Sequence, residues 1–178
     1  VLDASRLYLA SISTETGDTS EVKQVSVEQR CIMPGSFYVL TTDPDMITGR
    51  YMNSCRENIF EAVSLPSMPD DKGHLLLLNR EKELIDEVIY CEEMHYSLLA
   101  DNEGVSLEKI RPEIPSVESN NWHSASESSG WGTPGIENSV FSPSPTATEK
   151  VSFSSGRISP DNDGYEDVLV IDLDPEGL

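Results

Sequence analysis

The chain has 178 residues, with 32 Asp and Glu against 12 Lys and Arg, for a formal net charge of -20. That field repels phosphate backbones and anionic lipid, which argues against nucleic-acid binding, and it suits solubility and hard divalent cations held by oxygen ligands. No apolar run approaches the ~20 residues of a membrane-spanning helix, and a chain this long buries about 70% of its unfolded surface, so it needs no disulfide framework. Cys31, Cys55 and Cys91 are too few and too scattered for a zinc site or a disulfide framework; one pair with one leftover thiol is open, and free, partly buried thiols are the preferred reading.

The first predicted strand is Leu7-Tyr8-Leu9-Ala10-Ser11-Ile12, followed by a turn-rich stretch over residues 14–20 that contains Gly17 and Asp18. An imperfect alternation over residues 22–28 predicts a second strand. Pro34-Gly35 is a turn signal, because Pro presets φ at the second turn position and Gly accepts positive φ at the third. Residues 36–41, rich in aromatic and β-branched side chains, predict the strand after it. Asp43-Pro44 predicts a helix start, with Asp43 as the cap and Pro44 at the first helical position, where its missing N–H is no loss. Met46, Ile47, Arg50 and Tyr51 then recur at helical spacing over one or two turns.

The apolar run Leu75-Leu76-Leu77-Leu78 and the strand pattern of residues 84–90 flank the polar stretch Asn79-Arg80-Glu81-Lys82, which predicts a β-hairpin with a slightly long loop. Residues 70–73 are assigned to a turn before it. The stretch 104–110, Gly-Val-Ser-Leu-Glu-Lys-Ile, alternates at period two and predicts a strand with one buried face. Many short strands, frequent Gly and Pro turns and one small helix indicate an all-β fold, a sandwich or barrel. At residue 142 the composition shifts. Residues 142–150 are assigned to a Ser/Pro/Thr linker, and residues 151–178 to the start of a second, truncated β module.

Several fragments carry a resemblance in their order and spacing. They are Pro34-Gly35-Ser36-Phe37-Tyr38-Val39-Leu40-Thr41, Leu65-Pro66-Ser67, Asp70-Asp71, Leu84-Ile85-Asp86, Glu93-Met94-His95, Gly104-Val105-Ser106-Leu107-Glu108, Asn121-Trp122-His123-Ser124-Ala125 and Gly132-Thr133-Pro134-Gly135. Over residues 7–139, about three-quarters of the chain, this pattern resembles the lamin tail domain, and most closely its bacterial versions in secreted and surface proteins. The resemblance implies an immunoglobulin-like β-sandwich over residues 1–141, with Trp122 buried and His123 bonding backbone. The family opens with two further strands that nothing before Leu7 supplies, so the sandwich is expected to lack them or to fill their places with residues 7–12 and 22–28. Edges left unpaired in this way invite strand addition or a homodimer. Residues 158–169 are similar to the start of immunoglobulin-like modules that follow such domains in secreted bacterial proteins.

Candidate chemistry is sparse. Ser159, Asp161, Asp163 and Asp167 place oxygen side chains at positions 1, 3, 5 and 9 of a calcium loop, with Gly164 at the sharp turn, but position 12 is Val170 where a bidentate Glu is needed. The plain alternative is a solvated acidic turn. His95, His123 and Glu93 would make a metal or acid–base site if they converged, yet no helical metal-ligand pairing joins them, so packing and loop anchoring is the preferred reading. Ser124, Ser126, Ser128 and Ser129 form a flexible stretch without a nucleophile elbow. Gly130, Gly132 and Gly135 are turn glycines, and Trp131 is either a core anchor or an exposed stacking platform.

The reading is of a non-enzymatic extracellular or cell-surface interaction or spacer domain of a larger bacterial protein, contacting an extracellular protein or glycan, with calcium as the one conceivable cofactor. The alternative is an accessory, substrate-targeting domain of a secreted hydrolase or nuclease. Calorimetric titration of calcium into the chain tests the acidic loop: binding heat by millimolar calcium is what the loop requires, and its absence leaves a solvated turn.

Overall fold

A computed structural model describes residues 1–52 and 54–143, together with the backbone pairing of Lys150–Phe153 and Ile171–Asp174. The chain divides into two compact units, Val1–Ser142 and Pro143–Leu178. Among the described residues the first unit is mostly β, with antiparallel sheets, one parallel pair and one α-helix. No described helix is long and apolar enough to cross a membrane.

The largest sheet joins β2 (Tyr8–Ile12), β3 (Lys23–Gln24), β7 (Lys72–Leu78) and β8 (Leu84–Cys91) in the order β3-β2-β7-β8, antiparallel throughout. The expected hairpin is β7–β8. Its loop closes on Asn79, whose side chain accepts from the Glu83 amide at 2.9 Å and donates to the Glu83 carboxylate at 2.8 Å. Lys82, at φ 67°, makes the reversal, and its ammonium lies over the Tyr8 ring. β7 begins earlier than the expected run of leucines. Gly73, assigned to a turn from the sequence, sits inside the strand opposite Tyr90. A Cβ there would lie 2.4 Å from the Tyr90 hydroxyl oxygen, so the absent side chain is what lets the ring lie across β7. Tyr90 then donates to the Pro69 carbonyl at 2.7 Å, and burial, followed by Asp70 and Asp71, holds its phenol above the usual value.

Smaller pairs surround this sheet. β1 (Leu2–Asp3) pairs with β4 (Cys31–Ile32), so a short strand does precede Leu7. β5 (Val39–Thr41) runs parallel to β6 (Ile59–Glu61). β9 (Leu107–Lys109) pairs with β10 (Trp122–Ser124). In the second unit β11 (Lys150–Phe153) pairs antiparallel with β12 (Ile171–Asp174). The expected second strand is reduced to β3, because past Gln24 the chain leaves the ladder after a last bond from Val25 N to Leu7 O at 2.9 Å, and the Ser26 hydroxyl turns to Glu28 O.

The punctuation residues behave as their chemistry requires. Gly35, at φ 72°, closes a turn in which Ser36 N donates to Met33 O. α1 (Pro44–Arg50) is capped by Asp43, whose carboxylate accepts from Met46 N at 2.9 Å, with Pro44 in the first turn. No residue of α1 is fully buried, so this helix lies on the surface.

The core gathers Ala4, Leu7, Val25 and Phe60, with Leu9, Ile32, Tyr38, Leu40 and Leu77 packed against it. Phe60 is its hub. The Tyr38 ring lies 4.9 Å away, and the Arg30 guanidinium sits 4.4 Å from the ring centroid while donating to Ile59 O at 3.1 Å. Cys31, Cys55 and Cys91 are free, with Cys31 exposed. Truncation of the hub, Phe60→Ala, is expected to destabilise the first unit by about 3–5 kcal/mol, and Phe60→Leu by less; urea unfolding followed by tryptophan fluorescence measures both.

Candidate functional site

The strongest concentration of polar side chains lies where β9 and β10 pair. Their register sets Leu107 opposite Ser124, Glu108 opposite His123 and Lys109 opposite Trp122. The alternation of residues 104–110 predicts one buried face, but the buried member is the carboxylate: Glu108 is 4% exposed, while Val105 and Leu107 are half-buried. A buried charge persists only with donors around it. Glu108 has three, the Thr133 hydroxyl on Oε1 and both the amide and hydroxyl of Ser139 at 2.7 Å on Oε2. Asn138 adds a bond to Lys109 O at 2.9 Å. The segment 133–139 is thereby tied to β9.

Two neighbouring nodes work in the same way. Asn121 is buried, accepting from Arg111 N at 3.0 Å and donating to Arg111 O at 2.8 Å, as a strand partner would. The Ser116 hydroxyl donates to Asp86 at 2.7 Å and accepts from Lys109 Nζ at 2.9 Å, while Ser116 O accepts from Trp122 Nε1 at 2.9 Å. One small residue thus connects β8, β9 and β10. No spacing in the sequence singles out Ser116, because its partners are 7 and 30 residues away.

The structure brings two of the three residues of the suspected acid–base group together. His95 Nδ1 lies 2.9 Å from the Ser124 hydroxyl, which also accepts from Tyr96 N at 3.0 Å. His123 Nδ1 donates to Ser124 O at 2.9 Å, and its ring lies 5.5 Å from that of Tyr96. Glu93 turns instead to the Cys91 thiol, and that bond, with burial, holds the thiol above its usual value. Among the described residues no three His, Cys, Asp or Glu side chains are grouped to hold a metal ion. Burial holds the His95 imidazole below its usual value, with His123 adding to the effect and Glu92 opposing it. A neutral imidazole beside a serine hydroxyl suggests nucleophilic chemistry, but Ser124 is 4% exposed and its oxygen is occupied by a backbone amide. The geometry is that of an anchor.

The serines expected to be flexible are also bonded. Ser126 and Ser128 share a hydrogen bond of 2.7 Å, Ser129 donates to Ser126 O, and Ser126 N donates to Ser139. Trp131 is half-buried at φ 66°, its carbonyl accepting from Ser106 N at 3.0 Å. Ser159, Asp161, Asp163 and Asp167 lie outside the described residues.

Beside this network is a cleft of about 690 Å³, within the range of ligand-binding pockets. Leu75, Val88 and Tyr90 of the large sheet, Leu107 and Trp122 of the β9–β10 pair, and Met46, Ile47 and Tyr51 of α1 and its end line it. Its polar lining includes Asp70, Glu92, Glu103, Arg50 and His95. Arg50 is engaged with Gly104 O at 3.0 Å.

No known family, curated protein or solved structure matches this chain.

Two outcomes follow from this chemistry. Glu108→Ala strands three donors and is expected to destabilise the first unit by about 2–4 kcal/mol, with new protease cleavage between residues 133 and 139. For His95 the folded value lies below the unfolded value of about 6.5, so protonation favours the unfolded chain. Its contribution is complete above about pH 6.5 and is lost as the pH falls from there toward the folded value. Urea titrations at pH 7.5 and 5.5 are expected to show a larger loss for the native chain than for His95→Gln.

Proposed function

We propose that this chain is a non-enzymatic interaction or spacer module of a bacterial extracellular or cell-surface protein, built on an immunoglobulin-like sandwich of the lamin tail type. One observation carries the reading: the fragments that resemble that family meet one another. Glu108 of the Gly-Val-Ser-Leu-Glu stretch holds Thr133 of Gly-Thr-Pro-Gly, and His95 of Glu-Met-His meets Ser124 of Trp-His-Ser. Side chains that could serve catalysis are engaged in joining one segment to another. A surface that binds by contact needs a rigid frame with loops and open strand edges, which is how this unit's hydrogen bonds are distributed.

A screen of the chain against arrays of extracellular proteins and glycans tests the reading. The expected result is saturable binding to a protein or glycan that leaves the bound ligand chemically intact. Turnover of an ester, glycoside or phosphodiester by the purified chain, abolished by His95→Gln, overturns it.

A further inference from the structure

We infer that the open edge of β8, with the cleft beside it, receives an extended segment of a partner protein whose side chains alternate between apolar and basic. The inference rests on the reading of the chain as an interaction module and names where the contact is made and with what chemistry.

The edge comes first. β8 is eight residues long and ends the order β3-β2-β7-β8, so β7 pairs with one side of it and no described strand pairs with the other. Long apolar edges are normally shortened, bulged or covered. This strand is none of these along its second half, where Ile89 is 54% exposed. The Glu87 amide donates to Asp86 at 3.0 Å, and the backbone beyond it is a template for strand addition, in which main-chain hydrogen bonds supply affinity and pockets for alternate side chains supply selectivity.

The cleft supplies such pockets on one face. Val88 stands opposite Leu75 and Tyr90 opposite Gly73 in the ladder, and Leu75, Val88 and Tyr90 all line the cleft. An added strand would therefore send every second side chain toward this cleft, where Met46, Met68 and Trp122 offer apolar and adaptable surface. Glu87 faces the other way, hydrogen-bonded to His74 at 2.7 Å.

Charge selects the occupant. Glu81, Glu83, Asp86, Glu87, Glu92 and Glu93 lie along or beside β8, against Lys72, Arg80 and Lys82, and Lys82 is turned over the Tyr8 ring. A second copy paired through β8 would set these acids against their own kind, which destabilises cross-strand pairs, on a chain of net charge -20. A segment with Lys or Arg at every second position brings opposite charge to Glu87 on the face turned from the cleft and, over a longer range, to Asp86 and to Glu92 and Glu103 of the cleft. The same acids that repel self-pairing thus admit a cationic strand.

A fluorescently labelled peptide of four Lys-Val repeats tests this. The controls are a peptide of four Glu-Val repeats and a block peptide in which four lysines precede four valines. The alternating cationic peptide is expected to bind at low salt at least tenfold more tightly than either control. Amide shift changes should concentrate on β8 and the cleft residues. Binding should weaken at least tenfold in Ile89→Pro, which clashes along the edge, and at least fivefold in the rim variant Glu92→Lys/Glu103→Lys. The rim variant decides the matter if Ile89→Pro fails to fold. No binding, equal binding of the block peptide, shifts elsewhere, or a β8-mediated dimer in light scattering overturns the inference. An array ligand that binds without competing with the peptide would leave the interaction reading standing while removing this site, and failure of both screens would remove both.

Discussion

The first unit depends on a carboxylate held away from water. Glu108 sits in a three-residue strand that could not persist through its own ladder bonds, and it is stabilised by donors from a segment more than twenty residues later in the chain. Desolvating a carboxylate costs several kcal/mol unless donors replace its water, so the strand and the 133–139 segment are ordered together or not at all. From there the constraint spreads. Asn58 donates to Gly135 O at 2.8 Å, which brings the held segment to the residue before β6. Ser139 accepts from Ser126 N, which fixes the serine turn. One buried charge therefore organises loops from three parts of the sequence that share little apolar contact.

This explains how a small core suffices. Phe60, Leu7, Val25 and Ala4 make one cluster, and no large side chain in the described unit is fully buried. Away from that cluster the sheets are joined by polar nodes at Ser116, Asn121 and Ser124, each satisfied by two or more hydrogen bonds. Polar joints of this kind fix geometry more sharply than they add stability, because each bond replaces one to water. They also leave room between the elements, and the cleft beside Val88 and Trp122 is that room.

What the sequence discloses follows from the range of the interactions. The hairpin of β7 and β8, the Asp43 cap and the Gly35 turn are legible, since each rests on residues a few positions apart. The parallel pairing of β5 with β6 is not, because Ile59–Glu61 is short and its partner lies twenty residues back. Gly73 reads as a turn residue until the Tyr90 ring is seen across it. The face of β9 reads wrongly for a related reason. Alternation reports which side chains are apolar, and burial here follows the donors of Thr133 and Ser139, which no local pattern announces. His95 and Ser124 show the same limit, being 29 residues apart and joined only by the fold.

The distribution of acid along β8 carries the synthesis one step further. A strand edge has to resist pairing with its own copies, and charge is one of the means. Bulges serve the same end, and β8 has one, at the shift beside Leu77 and Leu78, but it lies near the hairpin loop and leaves the remainder of the strand regular. Protection there falls to Asp86, Glu87, Glu92 and Glu93. Yet Asp86 and Glu87 are not free counter-charges, since one accepts from Ser116 and the other from His74. Asp86 is held by Ser116 of the connection between β9 and β10, and Glu87 by His74 of β7. Fixed charges discriminate between partners better than mobile ones, because a mobile side chain can swing away from a like charge while a held one cannot. The network that orders the β9–β10 pair thus also sets the charge pattern an incoming strand would meet.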